Sequence, residues 1–389
     1  MEEVDKMSHR LRTCGAAAVL LLLLTLLSSC GQSAVQDETA TDYNQYIPSH
    51  GVTAYTKDLY IFFDSGRLFY VGRSQPSQLF PLCFQADCDH KNSSCTAWLN
   101  TPSRSIYAAG DNLYYIDADK DANPALYRMD LSGGGRELVK SLNILNEESW
   151  PGISSLGYSF RVYGSYLAIE LNLLQEDSWQ HKIYLTGIDS KDEGVFLFGE
   201  EGDSDKSYIA IEFRENWLFV TEKNAADRTN TLWGYNFTTQ EAVPLVEGWD
   251  ISNCFTVQDG ILYWAVTGDG VYSMDMEKKS VTKHRSFDPV LEYGAAAYDD
   301  QYLYLTNAIR YMDSQGTVPA EERGVKVYDL QGNLQQFIPV PQESGNALLL
   351  LFTPGYVFFC DDRNGSYCPT LYLEKAAVSS GSAQMLPVG

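Results

Sequence analysis

The stretch "GDNLYYI" (110–116), followed after a short polar gap by "ALYRMDLSGG" (125–134), decides how this chain is read. The first phrase is a turn that runs into an apolar, aromatic strand; the second is another strand that ends in a glycine-rich turn. Both recur. The first phrase returns as "KDLYIFF" (57–63), "YGSYLAI" (163–169), "RENWLFV" (214–220), "QDGILYW" (258–264), "DDQYLYL" (299–305) and "TPGYVFF" (353–359). The second returns as "KIYLTGIDS" (182–190), "TLWGYNFTT" (231–239), "GVYSMDMEK" (270–278) and "GVKVYDLQGN" (324–333).

The anchoring residues Leu59, Leu113, Leu167, Leu218, Leu262, Leu303 and Val357 are spaced 41 to 54 residues apart. Tyr, Phe and Trp make up 13% of the chain, a strand composition, and helical periodicity is almost absent after residue 51. A repeat of this length holds about four strands, which is the period of a propeller blade. We therefore expect an all-β, seven-bladed β-propeller over residues 51–389, with six or eight blades as the alternatives. The expected blades run over about 51–83, 104–141, 157–199, 207–247, 251–286, 293–340 and 345–388. A pair of packed sheets would explain the strands but not the repeated order of the two phrases.

The first thirty residues carry an address. Arg10 and Arg12 precede a run from Ala16 to Leu27 that is apolar but for Thr25, and "LSSC" (27–30) follows at once. Such a run is too short to cross a bilayer and has the form of a secretion signal. Leu27-Ser28-Ser29-Cys30 has the pattern of a bacterial lipobox, in which the cysteine receives a lipid and becomes the new N-terminus. We expect a lipoprotein signal peptide over 1–29, with Cys30 the lipidation site. Glu2, Glu3 and Asp5 are unusual in a signal, so Met7 is an alternative start. Residues 30–50 then form a lipidated, flexible tether with a reach on the order of 25 Å.

Cleavage before Cys30 removes three basic and three acidic residues, so the mature chain keeps the formal charge of −23. That charge repels phosphate backbones and anionic headgroups, which excludes nucleic acid as a partner and leaves membrane contact to the lipid alone. The expected location is extracytoplasmic, anchored to the cell membrane.

The phrase "LYRMDLSGG" resembles that of bacterial propellers related to the YWTD repeats of lipoprotein receptors. A lipobox, a tether, "PLC" (81–83) followed by C-x-H-x4-C, and then these repeats together resemble a group of uncharacterised β-propeller lipoproteins of anaerobic Gram-positive bacteria. The resemblance covers most of the chain; it implies a fold and an address, and no activity.

That loop holds Cys83-x4-Cys88-x-His90-x4-Cys95, within a connection of some twenty residues after the first blade. Three thiolates and an imidazole satisfy a structural Zn²⁺. The spacing matches no common zinc-finger signature, and disulfides in some pairing are the alternative. The remaining cysteines of the mature chain are Cys254, expected as a small buried residue, and the pair Cys360 and Cys368, placed like a hairpin disulfide. "DADKDANPA" (117–125) alternates oxygen ligands as a calcium loop does, but Ala122 and Arg128 stand where glycine and glutamate belong, so it reads as a solvated acidic turn.

In a propeller the D-to-A and B-to-C connections share one face. Trp98, Trp150 and Trp249 fall in D-to-A links and Trp179 in a B-to-C loop, each beside acidic residues. These four are the ligand-binding candidates, for a sugar or a cationic group; the plainer reading is that they cap gaps between blades. Trp217, Trp233 and Trp264 lie inside strands and read as core. No G-x-S-x-G, H-E-x-x-H, P-loop or G-x-G-x-x-G occurs, and His50, His181 and His284 stand without motif context. The first functional expectation is a non-enzymatic surface propeller that binds a carbohydrate, peptide or partner protein through its loop face. The alternatives are an extracytoplasmic hydrolase or lyase at the channel mouth, and an envelope assembly scaffold.

Overall fold

Each repeat of the two phrases folds as strands B and C of one sheet, with an inner strand A before them and a rim strand D after. The computed structural model describes residues 53–389 except 57, 93, 100–104, 147–148, 176–177, 190, 192, 200–204, 215, 227–228, 250–253, 267, 289–294, 309–317, 320–321, 342–345 and 362–365. The expected signal peptide, Cys30 and the tether lie outside the described residues.

Blade 1 is β1 (Thr53–Tyr55), β2 (Leu59–Asp64), β3 (Arg67–Gly72) and β4 (Gln75–Pro81). Blade 2 is β5 (Ile106–Ala109), β6 (Asn112–Ala118), β7 (Pro124–Asp130) and β8 (Glu137–Ser141). Blade 3 is β9 (Ile153–Tyr163), β10 (Tyr166–Gln175), β11 (Ser178–Gly187) and β12 (Val195–Phe198). Blade 4 is β13 (Lys206–Arg214), β14 (Trp217–Asn224), β15 (Thr229–Asn236) and β16 (Glu241–Glu247). Blade 5 is β17 (Phe255–Gln258), β18 (Ile261–Val266), β19 (Gly270–Asp275) and β20 (Ser280–Ser286). Blade 6 is β21 (Ala295–Tyr298), β22 (Tyr302–Thr306), β23 (Gly324–Asp329) and β24 (Leu334–Pro339). Blade 7 is β25 (Leu348–Phe352), β26 (Tyr356–Cys360), β27 (Leu371–Glu374) and β28 (Met385–Pro387), with a single helical turn, α1 (Lys375–Val378), before β28. Every sheet is a four-stranded antiparallel meander in sequence order. The seven sheets stand in a ring, so the architecture is the expected seven-bladed propeller.

The near-continuous apolar B strands follow from burial on both faces. In β2, Ile61 and Phe63 pack toward blade 2 while Tyr60 and Phe62 pack toward blade 7. In β6, Tyr115 faces blade 1 while Tyr114 and Ile116 face blade 3. Successive side chains point to opposite sides, so one run feeds two interfaces. Seven apolar clusters result, one at each junction between neighbouring blades.

The acidic residue that closes the second phrase is a turn cap. Asp130 Oδ1 accepts the Ser132 and Gly134 amides at 2.9 and 3.0 Å, and Asp329 Oδ1 accepts those of Gln331 and Asn333 at 3.0 and 2.8 Å. Asn236 and Asp275 hold their own turns in the same way. These side chains satisfy backbone donors that strand pairing leaves over.

Polar contacts also tie neighbouring blades at the rim. Gln336 of blade 6 exchanges hydrogen bonds with the backbone of Ala383 in blade 7. Gly389, just after β28, donates to Ser77 O at 2.8 Å and accepts from Leu79 N at 3.2 Å, closing the ring on β4. Between blades 6 and 7, Lys375 is 3% exposed and meets Asp299 and Asp300 at 2.8 and 2.9 Å.

Candidate metal centre and binding face

The link from β4 to β5 starts with Leu82 N donating to Leu68 O (2.9 Å) and returns to blade 1 through Leu68 N to Ala97 O (2.8 Å) and Leu99 N to Gly66 O (3.0 Å). Between these anchors the chain makes tight turns. Asp87 and His90 sit at φ +61° and +54°, a left-handed conformation that costs a non-glycine residue roughly 1–2 kcal/mol. Blade 2 grips the loop from outside: Arg136 donates to the carbonyls of Thr96 and Trp98, both at 2.7 Å. Gly133, at φ +81°, lies so close that a Cβ there would stand 2.8 Å from Thr96 Oγ1 and 3.0 Å from Leu82 O.

These turns bring one ligand atom each of Cys83, Cys88, His90 and Cys95 within 4.8 Å of one another. His90 Nδ1 is 3.4 Å from Cys95 Sγ. Tetrahedral zinc, with bonds of about 2.3 Å to sulfur and 2.0 Å to nitrogen, needs ligand separations of about 3.5–3.8 Å. The four residues fit such an ion with movements of about 1 Å or less. Burial alone would raise the Cys83 thiol, but hydrogen bonds from the Thr96 side chain, the Gln85 backbone, Cys95 and the Thr96 backbone outweigh it and bring it to about 6. Cys95 is pushed up to about 11 by burial and by the neighbouring thiols, against the hydrogen bond from the Ala97 amide. The three thiols are not joined to one another.

The four tryptophans divide. Trp98 lies under the Arg67 guanidinium, 5.6 Å from its ring centre, and bridges Arg67 as a short strand pair. Trp150 donates from Nε1 to Ile144 O at 2.8 Å, packs edge-on against Phe196, and carries the Lys182 ammonium 5.8 Å from its ring. Trp249 is wedged edge-on between Trp264 and Tyr272. All three are half-buried at blade junctions. Trp179 differs: it belongs to strand β11 rather than to the preceding loop, pairs with Leu174, and is 47% exposed.

The expected hairpin pair, Cys360 and Cys368, is drawn without a bond between the two sulfurs. The register sets Phe359 opposite Leu371, with Thr370 N donating to Phe359 O, so Thr370 rather than Cys368 comes level with Cys360. Cys360 is buried in the apolar junction of blades 7 and 1. Burial, with Asp64 nearby, pushes the Cys368 thiol up to about 11. Cys254 is buried as expected. In the acidic turn, Asp119 Oδ1 accepts the Asp121 and Asn123 amides at 2.9 and 2.8 Å, which makes it a backbone cap.

One constellation has no sequence motif. Blade 3 begins at Ile153, earlier than expected, and β9, β10 and β11 have 11, 10 and 10 residues, where the A to C strands of blades 1, 2, 5, 6 and 7 have three to seven. On the face of this long sheet turned to blade 4, Ser159 Oγ donates to Glu170 Oε2 (3.3 Å) and Asn172 Nδ2 donates to Glu170 Oε1 (3.3 Å). Asn172 Oδ1 lies 2.5 Å from His181 Nδ1. Cross-strand register places these groups together: Ser159 opposite Glu170, and Asn172 opposite His181. Blade 4 answers with Tyr208 and with Lys206 ion-paired to Glu222 at 3.1 Å. The signal that was available is the paired length of the two phrases around 163–187, which exceeds that of the other repeats.

On the innermost strands, Glu212 of β13 is the only carboxylate among the described residues. It is buried and ion-paired with Arg214, and Arg161 of β9 adds a second positive charge nearby.

No family model matches the sequence, and no curated protein matches it. Among solved structures the chain is similar to a prolyl endopeptidase, at 13% identity and a TM-score of 0.52 over 89% of this chain and 49% of that one. It thus spans about half of that enzyme's length. It is also similar to BamB from Moraxella catarrhalis (10% identity, TM-score 0.43, 79% of this chain and 81% of that one) and to an oligogalacturonate lyase in complex with manganese (14%, 0.40, 64% and 70%). At 13% identity the likeness to the prolyl endopeptidase is one of fold alone.

Proposed function

We propose that this chain is a non-enzymatic, lipid-anchored binding protein of the cell surface, held by acylated Cys30, whose propeller presents a loop face to a carbohydrate, peptide or protein ligand. Its loop centre holds a structural zinc on Cys83, Cys88, His90 and Cys95, consistent with the resemblance to YWTD-type propeller lipoproteins of Gram-positive anaerobes. The observation that carries this reading is the closed ligand set: three sulfurs and a nitrogen, gathered within 4.8 Å, fill a tetrahedron and leave no position for a substrate or an activated water. The loop is also gripped by Arg136 of the next blade, so the ion's part is to fasten blade 1 to blade 2. Ligation would keep three neighbouring thiols reduced in an oxidising compartment. The burial of Glu212 in its pair with Arg214 further favours a scaffold over a hydrolytic site.

Elemental analysis with thiol counting on the purified chain tests the zinc. One equivalent per chain, lost in His90→Ala, is the expected result; no metal together with oxidised Cys83, Cys88 and Cys95 would end this part of the reading. Membrane fractionation of the wild type and Cys30→Ser tests the anchor, with release of the variant expected. Clean turnover of a substrate would end the non-enzymatic reading.

A further inference from the structure

We propose that the crevice between blades 3 and 4 is a saccharide-binding site, with Trp179 as its stacking platform and His181, fixed by Glu170 and Asn172, as its hydrogen-bond acceptor. This names the ligand class for the binding role above and rests on that reading.

The extra residues of β10 and β11 carry their paired ends, Gln175 and Ser178, roughly 10 Å beyond the ends of the shorter strands, at about 3.3 Å per residue. On these extended strand ends, on the side facing blade 4, the chain places polar groups where the deeper positions of the same strands, Ala168, Ile183 and Leu185, are apolar. The change from apolar to polar along one strand face marks a wall that meets solvent or ligand rather than core. Trp179 stands at its upper edge, 6.4 Å between ring centres from His181, with an angle of 32° between their planes. A large ring 47% exposed beside ordered hydrogen-bonding groups has the amphipathic character that a sugar ring needs: C–H groups stack on the indole while hydroxyls find polar partners.

The hydrogen-bond chain fixes what His181 offers. Glu170 is a carboxylate and accepts only, so the Asn172 group that faces it is the NH₂. Asn172 Oδ1 then faces the imidazole, and the close nitrogen, Nδ1, must be the protonated one. Nε2 is left as an acceptor. Burial holds the ring's pKa below its usual value, which keeps this neutral form in place at neutral pH. An acceptor held in position by two fixed partners suits a ligand hydroxyl donor.

Charge selects the ligand class. Lys206 and Glu222 offset each other on the blade 4 wall, and among the described residues the blade 3 wall carries both signs, Arg161 deep in the sheet and Glu170 nearer its end. An anionic ligand would meet the overall repulsion of a chain carrying −23. An uncharged polyhydroxylated ligand meets balanced donors and acceptors.

The test is titration of the purified full chain in detergent with neutral tetrasaccharides (cellotetraose, xylotetraose, maltotetraose and mannotetraose), read by calorimetry and tryptophan fluorescence. At least one is expected to bind saturably, with affinity reduced tenfold or more in Trp179→Ala and in His181→Ala and unchanged in Trp249→Phe. Thermal melts of each variant confirm folding; because Trp179 is on the surface, Trp179→Ala keeps the wild-type melt. Binding that persists within twofold in both variants would overturn the crevice assignment while leaving the binding role standing. No binding of any tetrasaccharide at millimolar concentration would overturn the saccharide class. Cleavage of a tetrasaccharide, abolished in Trp179→Ala, would support the site and overturn the non-enzymatic reading instead.

Discussion

Replacing Lys375 by methionine is expected to destabilise the propeller by about 3–4 kcal/mol at pH 7.5, because it strands a buried carboxylate. Lys375 and Asp299 are 3% and 1% exposed and meet at 2.8 Å between blades 6 and 7, with Asp300 the lysine's second, more exposed partner at 2.9 Å. Removing one partner of such a pair costs roughly 3–5 kcal/mol, the upper part of which methionine offsets by filling the apolar space of the lysine stem. For about 340 residues the unfolding entropy is about 0.7 kcal/mol per kelvin, so the melting temperature should fall by about 4–6 °C. The pH dependence identifies the cause. Burial, opposed by Lys375, already raises the Asp299 carboxyl; without the lysine it rises further. A carboxyl raised in the folded state binds protons that the unfolded state releases. Stability is therefore lost as pH climbs from about 4 through the folded-state value. The deficit of Lys375→Met should be small near pH 4.5 and grow toward pH 8. Adding Asp299→Asn should recover half or more of it, since Asn keeps an acceptor for the Gln301 and Tyr302 amides. Denaturant titrations at three pH values measure this. A deficit under about 1 kcal/mol, or one that is flat with pH, would refute the assignment of the pair as a stabilising latch.

The other perturbations address the loop and the turns. His90→Ala should weaken zinc binding by more than the ~10–100-fold that a lost outer partner costs, and the freed thiols should then react with a thiol reagent that the intact centre resists. Gly133→Ala forces a side chain into a left-handed position and against Thr96, so it should cost about 2–3 kcal/mol, or about 3–4 °C in melting temperature, and loosen the metal loop from across the blade boundary. Asp329→Ala removes a side chain that caps the Gln331 and Asn333 amides and should cost about 1–2 kcal/mol by denaturant titration. Asp130 is held below the usual carboxylate range first by the Ser132 hydroxyl and then by turn amides, so its stabilisation should be present above about pH 4 and fade as pH falls through its lowered value; the difference between wild type and Asp130→Asn measures it.

The blades were legible because each B strand is buried on both faces, so "LYIFF" and "LYYI" stand out from turns at fixed intervals, and the acid closing each second phrase has a local job that any repeat must fill. The metal loop was legible because its four ligands lie within thirteen residues, and no tertiary contact is needed to bring them near. Cys360 and Cys368 show the limit of spacing arguments: eight positions apart, they look like a hairpin pair, but the register places Thr370 level with Cys360 and leaves Cys368 two residues farther toward the turn. Trp98, Trp150 and Trp249 lie in connecting segments as expected, yet those segments fold back over the junctions, where a cation or another ring covers each indole. Ser159, Glu170, Asn172 and His181 could not be grouped from sequence. What joins them is the pairing of three strands, and none of the four is distinctive alone.

The acidity of the chain takes on a different meaning once the turns are seen. Asp119, Asp130, Asp275, Asp299 and Asp329 each accept backbone amides of the turn that follows them. A carboxylate serves better there than a neutral cap, because a charged acceptor makes the stronger hydrogen bond. Using an aspartate cap at several turns of blades 2, 5 and 6 therefore adds negative charge without any ligand having selected it. The formal charge of −23 is thus in part a product of these turn caps. Specific recognition has to come from places where the repeat is broken. Among the described residues, two departures are the Cys83 to Cys95 loop, which closes on itself, and the lengthened strands of blade 3, which leave the Trp179 indole 47% exposed beside His181.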